Sequence, residues 1–361
     1  MQNKAISMYD SFQIGTLAIG NRLVASATFE FAADNGKVSR KIIDHYRELA
    51  AGGSGLIVSG MQTVLSSASS GPVMVDTTYE GYVDDMKKLV DVVHENGSRL
   101  FVQLNHSGYK TFKDEGYDRI GVSEKEVVEG CTFREATRDD IEKIVDAFGQ
   151  AAKRAKDAGA DGVQIHSGHG YLLNTFLSPY FNRRTDAYGG PVENRARILF
   201  EVYNAVRKTV GDGYPVSIKL PFSDGASPSI TSEDCVYVSK ELEERGMDMI
   251  EVTAGFTMDG GASSFTPFVK DETQEARFLA GAVRIAEAVK IPVISVCGYR
   301  TPDVIEKVLS ETAVAAVSLC RPIIREPNLP NRWKTDRSKA TCVSCNKCFM
   351  SKGLIACQLD K

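Results

Sequence analysis

Eight short runs of apolar and β-branched residues recur along the chain, and they constrain its fold more than any other feature. They are NRLVASAT (21–28), GSGLIVSG (53–60), SRLFVQLNH (98–106), DGVQIHS (161–167), PVSIKL (215–220), MDMIEVTAG (247–255), PVISVCG (292–298) and AVAAVSLC (313–320). Strands covered on both faces read as near-continuous apolar runs of this kind. Helical patterns separate them. SRKIIDHYRELAAGG places Ile42, Ile43, Tyr46, Leu49 and Ala50 on one face and ends at Gly52. YEGYVDDMKKLVDVVHENG repeats the pattern with Val83, Met86, Leu89, Val90 and Val93 and ends at Gly97. The next begins at the cap candidate Thr137 and closes at Gly159. Another opens on Thr231 or Ser232 with acids behind them, and the last on Thr301 and Pro302. An α/β chain of eight such units predicts a closed parallel (β/α)8 TIM barrel. An open doubly wound sheet would want a G-x-G-x-x-G turn after the first strand, which here ends in SATFEF.

A single barrel accommodates 361 residues. The expected division is a barrel over 1–338 and a cysteine-rich extension over 339–361 that is not an independent domain. A net charge of -4 gives no basic excess to suggest nucleic acid. No apolar run approaches the roughly 20 residues of a membrane helix. The N-terminus MQNKAISMYDSFQIG lacks a charged-then-apolar leader, so a cytoplasmic protein is expected. The stretches 105–136, 168–195 and 256–272 are too long for plain connectors and are expected to cover the barrel's active face. The glycine-rich, aromatic 256–272 is expected to act as a lid.

In a barrel of this type the chemistry lies at the C-terminal strand ends. Reading those ends gives Ser26, Ala27 and Thr28, Gly60, Gln103, Asn105 and His106, His166 and His169, Lys219, Thr253, Cys297 and Gly298, and Cys320 and Arg321. No group of carboxylates suited to a hard metal stands among them. That argues against a metal-dependent lyase, one form of a non-redox reading. His166, His169 and Tyr171 follow one strand, and two of the five histidines fall there. Two imidazole donors can grip a carbonyl oxygen while a phenol delivers a proton beside it. The competing reading is a two-histidine metal pair, but no third ligand of matching type stands at another strand end.

The motif HSGHGYLLNTFLSP, followed by NRRTDAYGGPVENR, resembles the signature of the Old Yellow Enzyme family. That family includes bacterial ene-reductases, 2,4-dienoyl-CoA reductase and trimethylamine dehydrogenase. The resemblance runs from NRLV near residue 21 through QLNHSG (103–108) to CRPIIREP (320–327). It implies FMN at the barrel mouth, NAD(P)H as reductant and a small-molecule substrate. His166 and His169 match the pair that holds the substrate's carbonyl oxygen, and Tyr171 the tyrosine that protonates the α-carbon. Ser26, Ala27 and Thr28 match the backbone edge beside the isoalloxazine, and Gly60 stands at the neighbouring strand end. Gln103 matches the amide at the flavin's pyrimidine rim, and Lys219 the cation near its N1 and O2. Gly298 and Arg321 match the phosphate site. Arg184, Asp186, Asn194 and Arg195 read better as a loop that braces the barrel. The chain departs from the family pattern at Phe29, where a side chain that tunes the flavin would fall. It also has Lys219 where arginine is commoner and Cys320 in place of Gly or Ala.

Half of the eight cysteines crowd the tail in CVSCNKCFMSKGLIACQ, a C-x2-C-x2-C-x8-C spacing. Cys342, Cys345, Cys348 and Cys357 are candidate ligands for a 4Fe–4S cluster or for zinc. The cluster-bearing relatives carry a similar C-x2-C-N run, with the last cysteine further on, and continue into a second nucleotide-binding region. The expected function is FMN-dependent reduction of the C=C bond of an α,β-unsaturated carbonyl compound. The alternative is an FMN and iron–sulfur dehydrogenase or demethylase that exchanges electrons with a partner protein. The resemblance also implies a homo-oligomer.

Overall fold

The computed structural model describes residues 6–124, 133–256 and 268–359. Eight parallel strands close into a barrel: β1 (Leu23–Ala25), β2 (Leu56–Val58), β3 (Arg99–Asn105), β4 (Gly162–His166), β5 (Val216–Pro221), β6 (Met249–Thr253), β7 (Val293–Val296) and β8 (Ala316–Leu319). Each pairs with the next in sequence, and β8 returns to β1 through Ser318↔Val24 to close the ring. All eight fall on the apolar runs read from the sequence, seven trimmed to their hydrogen-bonded centres and β5 running one residue further, to Pro221.

Seven helices cover the outside: α1 (Arg40–Ala51), α2 (Tyr82–Glu95), α3 (Arg138–Asp157), α4 (Arg197–Val210), α5 (Ser232–Glu244), α6 (Leu279–Ala286) and α7 (Pro302–Glu311). Their starts follow local chemistry. Thr137 and Asp140 form a capping box at α3, and Thr231 and Asp234 form one at α5. The Ser39 side chain accepts the Ile42 amide at α1. On α3, Gly149, Ala151, Ala152 and Ala155 are buried. A methyl on Gly149 would lie 3.0 Å from the Thr209 hydroxyl of α4, so the small residue permits that helix contact.

A short antiparallel hairpin, Phe12–Ile14 with Leu17–Ile19, precedes the barrel. Its Phe12, Ile14 and Ile19 pack in one cluster with Val24, Leu56, Val58, Phe101, Met249 and Ile294 of the strands. The sequence reading did not anticipate it, because strands of three residues leave too little pattern.

The bracing loop is as expected. Arg184 donates to the carbonyls of Val122 (3.0 Å) and Ala136 (2.8 Å) and pairs with Asp186. Arg195 donates to Leu177 and Gly190 carbonyls and to Asp234. The expected lid 256–272 lies mostly outside the described residues, as does Cys131. The segment after the barrel docks on the strand ends. Ala340 N–H donates to Arg300 O, and Ile355 N–H to Glu30 O.

Candidate active site

A layer of polar side chains spans the barrel interior at the strand C-termini. Gln103 Nε2 donates to Gln164 Oε1 at 2.7 Å, and Gln164 Nε2 to Glu251 Oε2 at 2.9 Å. The second Glu251 oxygen accepts from Ser26 Oγ at 2.8 Å and faces Lys219 Nζ at 3.2 Å, while Lys219 also donates to Ser26 Oγ at 2.8 Å. Glu251 is 1% exposed. Burial alone pushes its carboxyl up, but the Lys219 ammonium and the bonds from Ser26 and Gln164 outweigh that and hold it below the usual range. The carboxylate therefore stays ionised and keeps Lys219 in place.

Above this floor opens a cleft of about 630 Å³, walled by Ser26, Ala27, Lys219, Thr253, Gly298 and Arg321 among others. Thr28 Oγ1 donates to Ser26 O at 3.0 Å and lies 3.1 Å from Cys320 Sγ, which ties the ends of β1 and β8 together. Gly298 adopts φ +92°, a left-handed conformation that glycine takes without steric cost. The next residues are capped by Glu275, whose carboxylate accepts from the Arg300 and Thr301 amides at 2.8 and 3.0 Å. Arg300 and Arg321 both line the cleft. Arg321 Nη1 donates to Asn346 Oδ1 at 2.7 Å, and Arg300 Nη1 to Val269 O at 2.5 Å. Sequence reasoning singled out Arg321 but missed Arg300, although it lies only two residues past Gly298.

His169 also lines the cleft, and its Nε2 lies 2.8 Å from Thr253 Oγ1. The His166 ring is 5.1 Å from both the His169 and the Tyr171 rings, centroid to centroid. The turn that carries them is left-handed at His169 (φ +60°) and Gly170 (φ +75°), and Gly170 N–H donates to Asn174 Oδ1 at 2.6 Å. Burial, with Lys219 and Lys110 adding like charge, holds both imidazoles well below their ordinary pKa. They are neutral hydrogen-bonding groups at physiological pH. Burial raises the Tyr171 phenol, so it carries its proton there too.

The expected site residues thus fall into three places. Ser26, Ala27, Lys219, His169, Gly298 and Arg321 line the cleft, with His166 and Tyr171 in ring contact beside it. Gln103 belongs to the floor. Gly60 stands behind the cleft, where its amide donates to Glu30 Oε1 (3.0 Å) and to the Tyr46 hydroxyl (2.7 Å), and a methyl there would collide with the Glu30 carboxylate. Buried Glu30 and Tyr46 share a short hydrogen bond, and burial raises the Glu30 pKa.

The tail thiols differ in burial. Cys342 and Cys348 are buried and Cys345 and Cys357 partly so. Cys357 Sγ accepts from Arg325 at 3.2 Å, and Cys342 Sγ from the Ser344 amide at 3.4 Å. Among the described residues no three His, Cys, Asp or Glu side chains come together as a metal-ligand group.

The donor set suits an anionic flavin. Two guanidinium groups and a left-handed glycine match a phosphate, and an ammonium on a fixed carboxylate matches a ring edge that gains negative charge on reduction. Arg300 Nε and His166 Nδ1 are buried with no hydrogen-bond partner among the described residues, as expected where a ligand supplies one. Fold and site therefore define a (β/α)8 barrel built to hold an anionic cofactor at its strand C-termini. Residues 7–340 match the NADH:flavin oxidoreductase / NADH oxidase family, and the chain belongs to it. The family binds FMN and draws on a nicotinamide reductant, as the Old Yellow Enzyme resemblance implied.

The chain is 32% identical over 351 residues to an NADH oxidase of Thermoanaerobacter brockii, covering 94% of this chain and 53% of that protein. It is 32% identical over 332 residues to an NADPH dehydrogenase of Geobacillus sp. (strain WCH70), covering 90% and 92%. A solved 2-naphthoyl-CoA reductase in complex with 2-naphthoyl-CoA has a TM-score of 0.89 at 27% identity, over 97% of this chain and 56% of that one. The chain thus spans about half the length of the first and last of these relatives. No helix among the described residues is long and apolar enough to cross a membrane.

Proposed function

We propose that this barrel reduces the C=C bond of an α,β-unsaturated carbonyl compound. The observation that carries the reading is the His166–His169–Tyr171 constellation beside the cleft: the His166 ring, at the end of β4, meets both the His169 and the Tyr171 rings of the turn that follows. Neutral imidazoles donate hydrogen bonds to the substrate's carbonyl oxygen. Those bonds strengthen as the oxygen gains enolate charge, so they favour the transition state over the ground state. Polarising the carbonyl makes the β-carbon the hydride acceptor. FMN, when bound and reduced by a nicotinamide, would be the source of that hydride. Tyr171 gives its phenolic proton to the α-carbon, and one hydride and one proton complete the saturated product. Ser26 and Glu251 hold Lys219; with FMN bound, Lys219 would offset the negative charge gained on reduction, and Arg300 and Arg321 would hold the phosphate.

The names of the three relatives reported above agree with reductive chemistry. One of them is a reductase solved with an aryl-CoA thioester, which is itself a conjugated carbonyl compound. The alternative, an FMN and iron–sulfur dehydrogenase or demethylase with a partner electron carrier, would draw on the tail thiols Cys342, Cys345, Cys348 and Cys357.

Isotope placement tests the reading. With nicotinamide deuterated at its transferable position and a cyclic enone in ordinary water, the label should appear on the β-carbon. In D2O with unlabelled nicotinamide it should appear on the α-carbon. An α-carbon that carries the nicotinamide's deuterium contradicts the assignment.

A further inference from the structure

The proposed carbonyl pocket has neutral imidazoles, so the positive charge that favours an oxyanion must come from elsewhere. Lys219 is one source. The other lies on the loop after β3, which packs directly against the His169–Tyr171 turn. A methyl on Gly108 would lie 3.2 Å from Leu172 Cα, and Leu172 N–H donates to His106 O at 3.1 Å. On that loop Lys110 Nζ donates to the His169 carbonyl at 2.5 Å and lies 5.0 Å from the Tyr171 ring centroid. Gly170 makes the approach possible, because a Cβ there would lie 3.1 Å from Lys110 Nζ.

We propose that Lys110 is a positioning residue of the carbonyl pocket: it pins the turn that carries His169 and Tyr171 and gives the pocket a second cation besides Lys219. The inference deepens the proposed function and rests on that reading for its catalytic meaning. Its physical content stands separately. Lys110 acts on both imidazoles as a like charge, so an anion held between them feels it as an attraction. Burial lowers its amine only to about 8, which leaves it mostly protonated at neutral pH. The left-handed His169 backbone, unusual for a residue with a side chain, keeps its carbonyl on that ammonium.

The test compares two probes of nearly equal shape by equilibrium dialysis at pH 7 with the FMN-loaded protein. Pentafluorophenol is ionised there and phenol is neutral. Lys110→Gln should weaken binding of pentafluorophenolate about tenfold and leave phenol within about twofold. Lys110→Arg should restore the anion. Equal losses for both probes would make Lys110 merely structural and overturn the proposal, as would no loss for either or an arginine variant as weak as glutamine. Enone turnover by the unmodified protein is measured alongside. No turnover with an intact phenolate effect would sink the reductase reading and leave the charge assignment standing.

Discussion

Tyr171 and His166 divide the proposed chemistry between a proton donor and a carbonyl grip, and each has its own signature. Tyr171→Phe keeps the ring and removes the proton. Reduction of the bound flavin by NAD(P)H should be unchanged, while its reoxidation by a cyclic enone should slow by about 10²–10⁴-fold, the usual worth of a positioned general acid. Stopped-flow spectroscopy separates the two half-reactions, and equal slowing of both would contradict the role. The imidazoles give a pH signature. His106, shifted to about 4, and His166, held well below its ordinary value, are kept neutral chiefly by burial. Their folded pKa values lie below the unfolded value of about 6.5, so the unfolded chain takes up protons first as pH falls. Stability is full above about 6.5 and drops below it, by up to about 1.4 kcal/mol per pH unit for each imidazole. Thermal melts should fall from pH 6.5 towards 5 and stay flat from 7 to 8 as far as these groups decide. A melting curve flat across the acid range would show that they are not buried neutral.

Elements read from the sequence were legible where their ends carry chemistry. The capping box of α3 announced that helix, and Thr137→Ala should cost about 1 kcal/mol, read by denaturant unfolding. A variant as stable as the parent would show that the cap bonds do not form. Helices α4 and α6 went unread: Ala196 precedes one and Phe278 the other, and neither side chain bonds to the helix, whereas α2, which also starts without a capping side chain, was legible from its apolar period. The strands were legible because both faces are covered. That burial also concealed the floor of the cleft. Glu251 is an acid inside the apolar run MDMIEVTAG, a signal that a buried partner was needed, but its partners Lys219, Ser26 and Gln164 come from three other strands. The pair Lys110 and His169 was unreadable for the same reason, since the two residues meet only when consecutive barrel loops pack together.

At the scale of the whole molecule, the barrel brings groups from the ends of six strands, β1 and β4 to β8, around one cleft, and much of that site was legible because a parallel barrel fixes where chemistry sits. The docking of the tail was not, because it depends on Arg321 reaching Asn346 and on Ile355 reaching Glu30 across the fold. FMN should bind the folded chain alone and stabilise it by about 2.7 kcal/mol at a hundredfold excess over its dissociation constant. Arg300→Ala should weaken that stabilisation in a thermal-shift titration, and riboflavin, which lacks the phosphate, should not distinguish the variant from the parent. An equal effect on both ligands would remove Arg300 from the phosphate site.

The measurement that tests the central claim most directly is the anaerobic flavin spectrum of the FMN-loaded protein, reduced with NAD(P)H and then mixed with a cyclic enone. The account predicts bleaching by the nicotinamide and full recovery of the oxidised spectrum with one enone consumed per flavin. A flavin that is bleached and stays reduced across a panel of α,β-unsaturated carbonyl compounds would contradict it.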